Sequence, residues 1–267
     1  MKAKTIKRVL RKTVDAWIDS IDDPAIAEIA RKNTIVTGGA IASMLLREPV
    51  NDYDIYFRTH SAAMAVAEYY AAQNDSIEVQ SDDNNRISLF IRSEGVVGDL
   101  RDDEEEPEAI ENQEYRITFV SSNAISLTDR IQLVFRFHGE PDQIHENYDF
   151  VHCTNYWCSW NGELVLNPKA LESLLSRELR YVGSLYPLCS IIRTRKFISR
   201  QWTINAGQYL KMAMQLNELD LTDIKVLEDQ LVGVDSLYFM QLIRALQEKD
   251  PEKVSTPYLM ELVDRIF

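Results

Sequence analysis

Cysteine is scarce in this chain, with only Cys153, Cys158 and Cys189 among 267 residues. An odd count without framework spacing excludes a disulfide scaffold and points to reduced thiols. His145 and His152 stand near the first two cysteines, but the spacing matches no zinc-ligand pattern, so no structural metal is expected. Long apolar runs are missing too, and none approaches the ~20 residues that a bilayer span needs. The N-terminus, MKAKTIKRVLRKTVDAWID, lacks the apolar core and small-residue cleavage site of a secretory signal. A cytoplasmic protein without membrane partners is therefore expected. Positive charge is outweighed, 29 Lys and Arg against 42 Asp and Glu, giving a net charge of -13 and a pI of about 4.8. That balance disfavours a polynucleotide partner overall and leaves the matter to local patches. At 45% hydrophobic and 27% charged residues the composition is that of a globular protein, long enough for two domains.

Glycine is sparse, nine in all, so the adjacent pair Gly38-Gly39 stands out within TGGAIASMLLREPVNDYDIYF, residues 37–57. Asn33 to Thr37 is a β-branched run that reads as a strand, and the two glycines let the backbone turn sharply and approach a ligand. Ala40 to Leu46 continues as a helix whose first N–H groups and positive dipole end suit a triphosphate. Pro49 ends that helix. In the extended run from Asn51 to Phe57, Asp52 and Asp54 share one face while Tyr53 and Ile55 take the other. Paired carboxylates make a hard-oxygen site for Mg²⁺, and two such ions bridging nucleotide phosphates serve in-line nucleotidyl transfer.

This stretch resembles the signature of the polymerase-β-type nucleotidyltransferase superfamily, a Gly-Gly turn followed by a D-x-D strand. It is similar, more narrowly, to the head of class II bacterial CCA-adding enzymes and poly(A) polymerases, GGxVRDxLLGxxxxDxD, with the same spacing from Gly39 to Asp52. It departs at Ala42-Ser43, where those enzymes carry Arg-Asp, and at Glu48, set against their glycine. The resemblance implies transfer of a nucleoside monophosphate from an NTP to an acceptor hydroxyl, with pyrophosphate leaving. It places two Mg²⁺ ions on Asp52, Asp54 and a third acid, and the triphosphate against Gly38, Gly39 and Ser43.

Along the rest of the chain, residues 1–21 read as an amphipathic helix with a basic outer side, either a solvated face or an RNA-binding arm. Asp22-Asp23-Pro24 starts a second helix through Arg31, and Ser61 to Gln73 reads as an alanine-rich helix capped by serine. Ile77–Gln80, Arg86–Arg92 and Val96–Leu100 alternate as strands continuing the same sheet. RDDEEEPEAIENQE, residues 101–114, carries eight acids and reads as a solvated loop. Tyr115–Ser121, Gln132–Phe137 and Tyr148–Cys153 are further expected strands.

Asp149 on the last of these is the candidate third carboxylate, and Asp99 is the runner-up. YDFVHCTNYWCSWNGELVLNP resembles the RRDFTINALAY…GELIDP region of CCA-adding enzymes, with the aspartate in register and the two arginines replaced by Asn147 and Tyr148. After Pro168 the pattern turns helical. Arg193 and Lys196 lie on a stretch similar to the family's neck, where they bind the incoming nucleotide or counter the acidic first domain. The fold expected is α+β: a polymerase-β-like palm, a mixed sheet with flanking helices, over residues 1–167, then a helical neck and C-terminal domain over 168–267. The acceptor is an RNA such as a tRNA 3′ end, or else a protein or small molecule, and a non-catalytic nucleotide-binding or interaction role is the rival class. Oligomeric state is not set by anything in the sequence.

Overall fold

The structure is a computed structural model that describes residues 1–83, 85–91 and 115–230, with Pro257, Tyr258, Met260, Glu261 and Asp264. Asp99, the acidic run 101–114 and the expected strand at 96–100 lie outside the described residues. The chain divides into two compact units, one of residues 1–145 and 153–167, the other of residues 146–152 and 168–267. The sequence reading placed Glu146–His152 with the first domain; the contacts place it with the second.

The first unit opens with α1 (Ala3–Asp19) and α2 (Pro24–Asn33). Ile6, Leu10, Val14, Trp17 and Ile18 recur at three- and four-residue spacing on α1 and are all fully buried, which is what fixes this helix to the unit. The side chain of Asp23 accepts from the N–H groups of Ala25 and Ile26, and Pro24 follows as the first helical residue, so α2 starts there. Next come β1 (Thr34–Thr37), α3 (Gly39–Leu46), β2 (Tyr53–Phe57) and α4 (His60–Ala71). Thr59, not the expected serine, caps α4 by accepting from the Ala62 N–H. A hairpin of β3 (Ile77–Ser81) and β4 (Ile87–Ile91) follows. It forms its own two-stranded sheet rather than extending the main one, a correction to the sequence reading.

The main sheet is completed by β5 (Ile117–Val120), β6 (Ala124–Leu127), β7 (Ile131–His138), and, after α5 (Pro141–His145), β8 (Tyr156–Cys158) and β9 (Leu164–Val165). Its order is β5-β6-β7-β2-β1-β8-β9. Among the described strands of this sheet only β2 and β7 pair in parallel, so the sheet is mixed and the unit is α+β. β1 lies between β2 and β8 with all four residues buried, as a central strand of a covered sheet should. Phe57 ends β2 in the core, stacked on Phe135 at 5.6 Å and tilted against Trp17 at 6.5 Å.

The second unit contains α6 (Pro168–Ser176), β10 (Glu178–Leu179), α7 (Pro187–Ser199), β11 (Thr203–Ile204), α8 (Ala206–Leu216) and α9 (Ile224–Gln230). Its described elements are helical apart from the two-residue parallel ladder of β10 and β11 and one isolated bridge. Tyr148–Cys153 is not the expected strand. Phe150 makes a single antiparallel bridge to Tyr181, the Val151 N–H donates to the Arg180 carbonyl, and Val151–Cys153 closes as a 3₁₀ turn. The Asp149 carbonyl accepts from the Val182 N–H, and Phe150 and His152 make aromatic contacts with Phe197, all within the second unit. No helix among the described residues is long and apolar enough to cross a membrane.

Phe57→Ala should cost about 3–5 kcal/mol, because it empties a fully buried aromatic site that its stacked neighbour cannot fill. Denaturant unfolding against the unaltered protein checks this; a loss under 1 kcal/mol would place Phe57 outside a packed core.

Candidate functional site

The turn between β1 and α3 is built by backbone geometry that the two glycines meet differently. Gly38 has φ 85° and ψ -148°, a conformation in which a side chain is strained. Its N–H donates to the Cys153 carbonyl at 3.1 Å. Gly39 opens the helix, and a Cβ added there would meet nothing within 4 Å. The fold thus demands glycine at 38 and has no use for it at 39. Beyond the turn, the N–H groups of Gly39, Ala40 and Ile41 lie in the first turn of α3 and have no acceptor within the helix. Ser43 is the fifth helical residue, so its N–H belongs to the helical ladder and only its hydroxyl is on offer.

α3 ends in a Schellman closure, the Glu48 N–H to the Ser43 carbonyl at 2.9 Å and the Arg47 N–H to the Met44 carbonyl at 3.3 Å. The left-handed residue is Arg47, φ 62°. Counted from Gly39, Arg47 and not Glu48 takes the place of the motif's glycine, and it adopts the backbone conformation a glycine would serve.

β2 brings the carboxylates. Thr37, the residue before the turn, is paired across the ladder with Asp54. Tyr53, Ile55 and Phe57 pack on the core, so alternation puts Asp54 on the opposite face. Asp52 stands exposed just before the strand begins, two residues from Asp54. The structure therefore sets Gly38, Gly39, Ser43, Asp52 and Asp54 on one strand-turn-helix-strand unit.

Asp149, Arg193 and Lys196 belong to the second unit. There Arg193 donates to Asp149 Oδ2 at 2.9 Å, an ion pair whose carboxylate side chain is only 14% exposed. Asp149 sits beside the Phe150 bridge and not on a strand. Lys196 is exposed on α7. Among the described residues, no three His, Cys, Asp or Glu side chains are grouped so as to hold a metal ion.

Sequence reasoning missed the residues that pin the turn from behind. Thr37 Oγ1 lies 3.0 Å from the Asn155 carbonyl, 3.3 Å from the Cys153 carbonyl and 2.8 Å from His145 Nε2. With His145 protonated at Nε2, the ring donates to the hydroxyl oxygen and the hydroxyl's one proton is left for a carbonyl. Asn155 is fully buried and accepts the Asn167 N–H through Oδ1. No spacing rule links position 37 to 145 and 155; His145 stood out from the sequence only beside the cysteines. Burial drives the His145 pKa down to about 4, against a smaller upward pull from Asp142. His152 in the second unit, 4.5 Å from the Trp202 ring and 4.8 Å from that of Phe197, is also lowered to about 4 by burial, opposed by Asp149.

Strand, glycine turn, helix and D-x-D strand make the fold of the first unit nucleotidyltransferase-like. Comparison with known proteins narrows the class. The chain belongs to the Gabija anti-defense 2 family, whose model matches residues 8–177. A curated relative, Gabija anti-defense 2 of Bacillus phage SPbetaL7, is 21% identical over 248 residues, covering 92% of this chain and 51% of the relative. The chain thus spans about half the length of the curated relative it matches. Among solved structures it is similar to a Thermotoga maritima CCA-adding enzyme complexed with tRNA, at 14% identity and TM-score 0.45, over 95% of this chain and 53% of that one. It is also similar to a Bacillus stearothermophilus CCA-adding enzyme in complex with CTP, at 13% identity and TM-score 0.43, over 83% and 51%. Values this low leave the chemistry of this chain to its own residues.

A histidine whose folded pKa lies below its unfolded value near 6.5 contributes stability that is complete above pH 6.5 and lost as pH falls toward 4. His145→Gln keeps a side-chain donor facing Thr37 and removes the titration. Melting temperatures of the two proteins should agree within about 2 °C at pH 7.5, and the variant should lose less on descent to pH 4.5. Parallel curves would show that His145 does not carry the acid sensitivity.

Proposed function

We propose that the first unit binds an NTP with Mg²⁺ and transfers its nucleoside monophosphate to an acceptor hydroxyl, as part of an anti-defence role. Gly39 carries this reading. A glycine that neither the backbone conformation nor the packing requires is accounted for by an outside group approaching the chain at the helix N-terminus, beside Asp54. The donor set suits the ion: Mg²⁺ is held by one or two carboxylates together with substrate phosphates, and Asp52 and Asp54 supply two hard-oxygen carboxylates two residues apart. When bound, Mg²⁺ would offset the charge of the triphosphate. The first-turn N–H groups of Gly39, Ala40 and Ile41 would orient the triphosphate and offset developing negative charge, with the Ser43 hydroxyl further along the helix. Asp149, Arg193 and Lys196, read from the sequence as a third carboxylate and nucleotide contacts, belong to the second unit and not to this site. Arg193 and Asp149 already neutralise one another.

A second reading is a nucleotide-binding member without turnover. Ala42, set against the motif's arginine, is buried and carries no charge, so that position offers the nucleotide nothing. The relative's name directs the search for an acceptor to components of a defence, protein or nucleic acid. An RNA 3′ end remains the acceptor read from the sequence.

Titration with ATP and CTP plus Mg²⁺, followed by transfer of label from each NTP, separates these readings. Gly39→Ala should leave the fold as stable as before or up to about 1 kcal/mol more stable, as alanine is the better helix former, yet weaken nucleotide binding about tenfold. Asp52→Asn with Asp54→Asn should abolish transfer. Binding by the unaltered protein without any transfer favours the second reading; absence of binding ends both.

A further inference from the structure

The outer face of α1 runs against the charge of the chain. Six cations, Lys2, Lys4, Lys7, Arg8, Arg11 and Lys12, stand among the first twelve residues, with no acid before Asp15, in a chain of net charge -13. All six are exposed, while Ile6, Leu10, Val14, Trp17 and Ile18 hold the opposite side of the helix fully buried. The cations are thus presented on a rigid support. Arg11 is partly engaged, its guanidinium 5.8 Å above the Trp157 ring. Lys4, Lys7, Arg8 and Lys12 pair with no acid among the described residues, although acids on α1 do pair elsewhere: Asp15 and Asp19 are both taken by Arg31.

A solvated helix face in an acidic protein would interlace Glu with Lys four residues apart. Here three such neighbours are pairs of cations, Lys4 with Arg8, Lys7 with Arg11 and Arg8 with Lys12, and the one acid so placed, Asp15 four residues after Arg11, is taken by Arg31. The first turn holds no acid, the N-cap Lys2 makes no side-chain cap, and cations at this end oppose the helix dipole. Local electrostatics works against this helix at each of these points, a conflict of levels that marks functional surfaces.

We propose that this face of α1 docks a nucleic-acid phosphate backbone. Lys4 to Lys12 span about 12 Å along the helix axis, over which a duplex carries about seven phosphates. No large apolar side chain is exposed between those cations. A protein partner would need such an anchor at the centre of its interface, whereas a polyphosphate needs only the charges. The residues of this surface are other than those of the nucleotide site, and its test does not depend on nucleotide binding.

Fluorescence anisotropy of a labelled 20-base-pair duplex and of a single-stranded RNA, with the full chain at 50 to 200 mM salt, tests the proposal. With four contacts the duplex affinity should fall about a hundredfold over that range, a log-log slope near -4. Replacing Lys4, Lys7, Arg8 and Lys12 together by Gln should weaken binding at least tenfold at 50 mM salt and flatten the slope by about 3. The same replacement at four other exposed cations, Arg86, Arg116, Lys211 and Lys225, gives an equal net charge and should change neither. Stronger binding to duplex or to single strand would tell which backbone is preferred, and either supports the proposal. Absence of binding at 50 mM salt, an equal loss in the control variant, or equally tight binding of poly-glutamate would overturn it. Circular dichroism confirms folding, and the α1 variant should melt no lower than the unaltered protein, since its cations oppose the helix.

Discussion

The ladder between β1 and β2 is the constraint on which the rest of the candidate site depends. Thr37 pairs with Asp54, so the last residue before the glycine turn and the carboxylate strand are locked in one register. A slip of one residue would turn Asp54 into the core and Ile55 out of it. What enforces the register is apolar: Val36, Ile55 and Phe57 are all buried in the same cluster as Trp17 and Phe135. The position of a pair of charged groups is thus set by side chains that carry no charge at all.

Behind the turn, a second layer is polar and buried. Thr37 reaches two backbone carbonyls and an imidazole, and Gly38 shares one of those carbonyls. Such a network rigidifies a site when each member is satisfied. It also ties the turn to α5 and to the segment leading into β8, which are more than a hundred residues away in sequence. The neutral imidazole of His145 suits this place, because a charged ring there would have to be desolvated.

Charge in this protein is distributed by region rather than averaged. The global excess of acid, the uncompensated cations of α1 and the Asp149–Arg193 pair of the second unit each have a different relation to solvent. Net charge alone would have discarded a polyanion partner. The residue-level layout on one rigid helix is what makes such a partner physically reasonable, since screening confines electrostatics to about 8–10 Å at ordinary salt.

Much of the first unit was legible in the chain itself. The apolar spacing of α1, the Asp23-Pro24 start of α2, the β-branched run of β1, the adjacent glycines and the D-x-D alternation are all local patterns, and local patterns follow from 3.6- and 2-residue periods and backbone sterics. Tertiary structure alone decided the rest. Tyr148–Cys153 has the alternation of a strand, yet Val151 bonds to Arg180 and Asp149 to Val182 around a single bridge, so it became a bridge and a 3₁₀ turn that gave Asp149 to Arg193. The hairpin β3–β4 has strand patterning but no place in the main sheet, because patterning sets strandness and not the neighbour. Thr37, His145 and Asn155 meet only once β1, α5 and the approach to β8 are packed together, and no periodicity encodes contacts across more than a hundred residues.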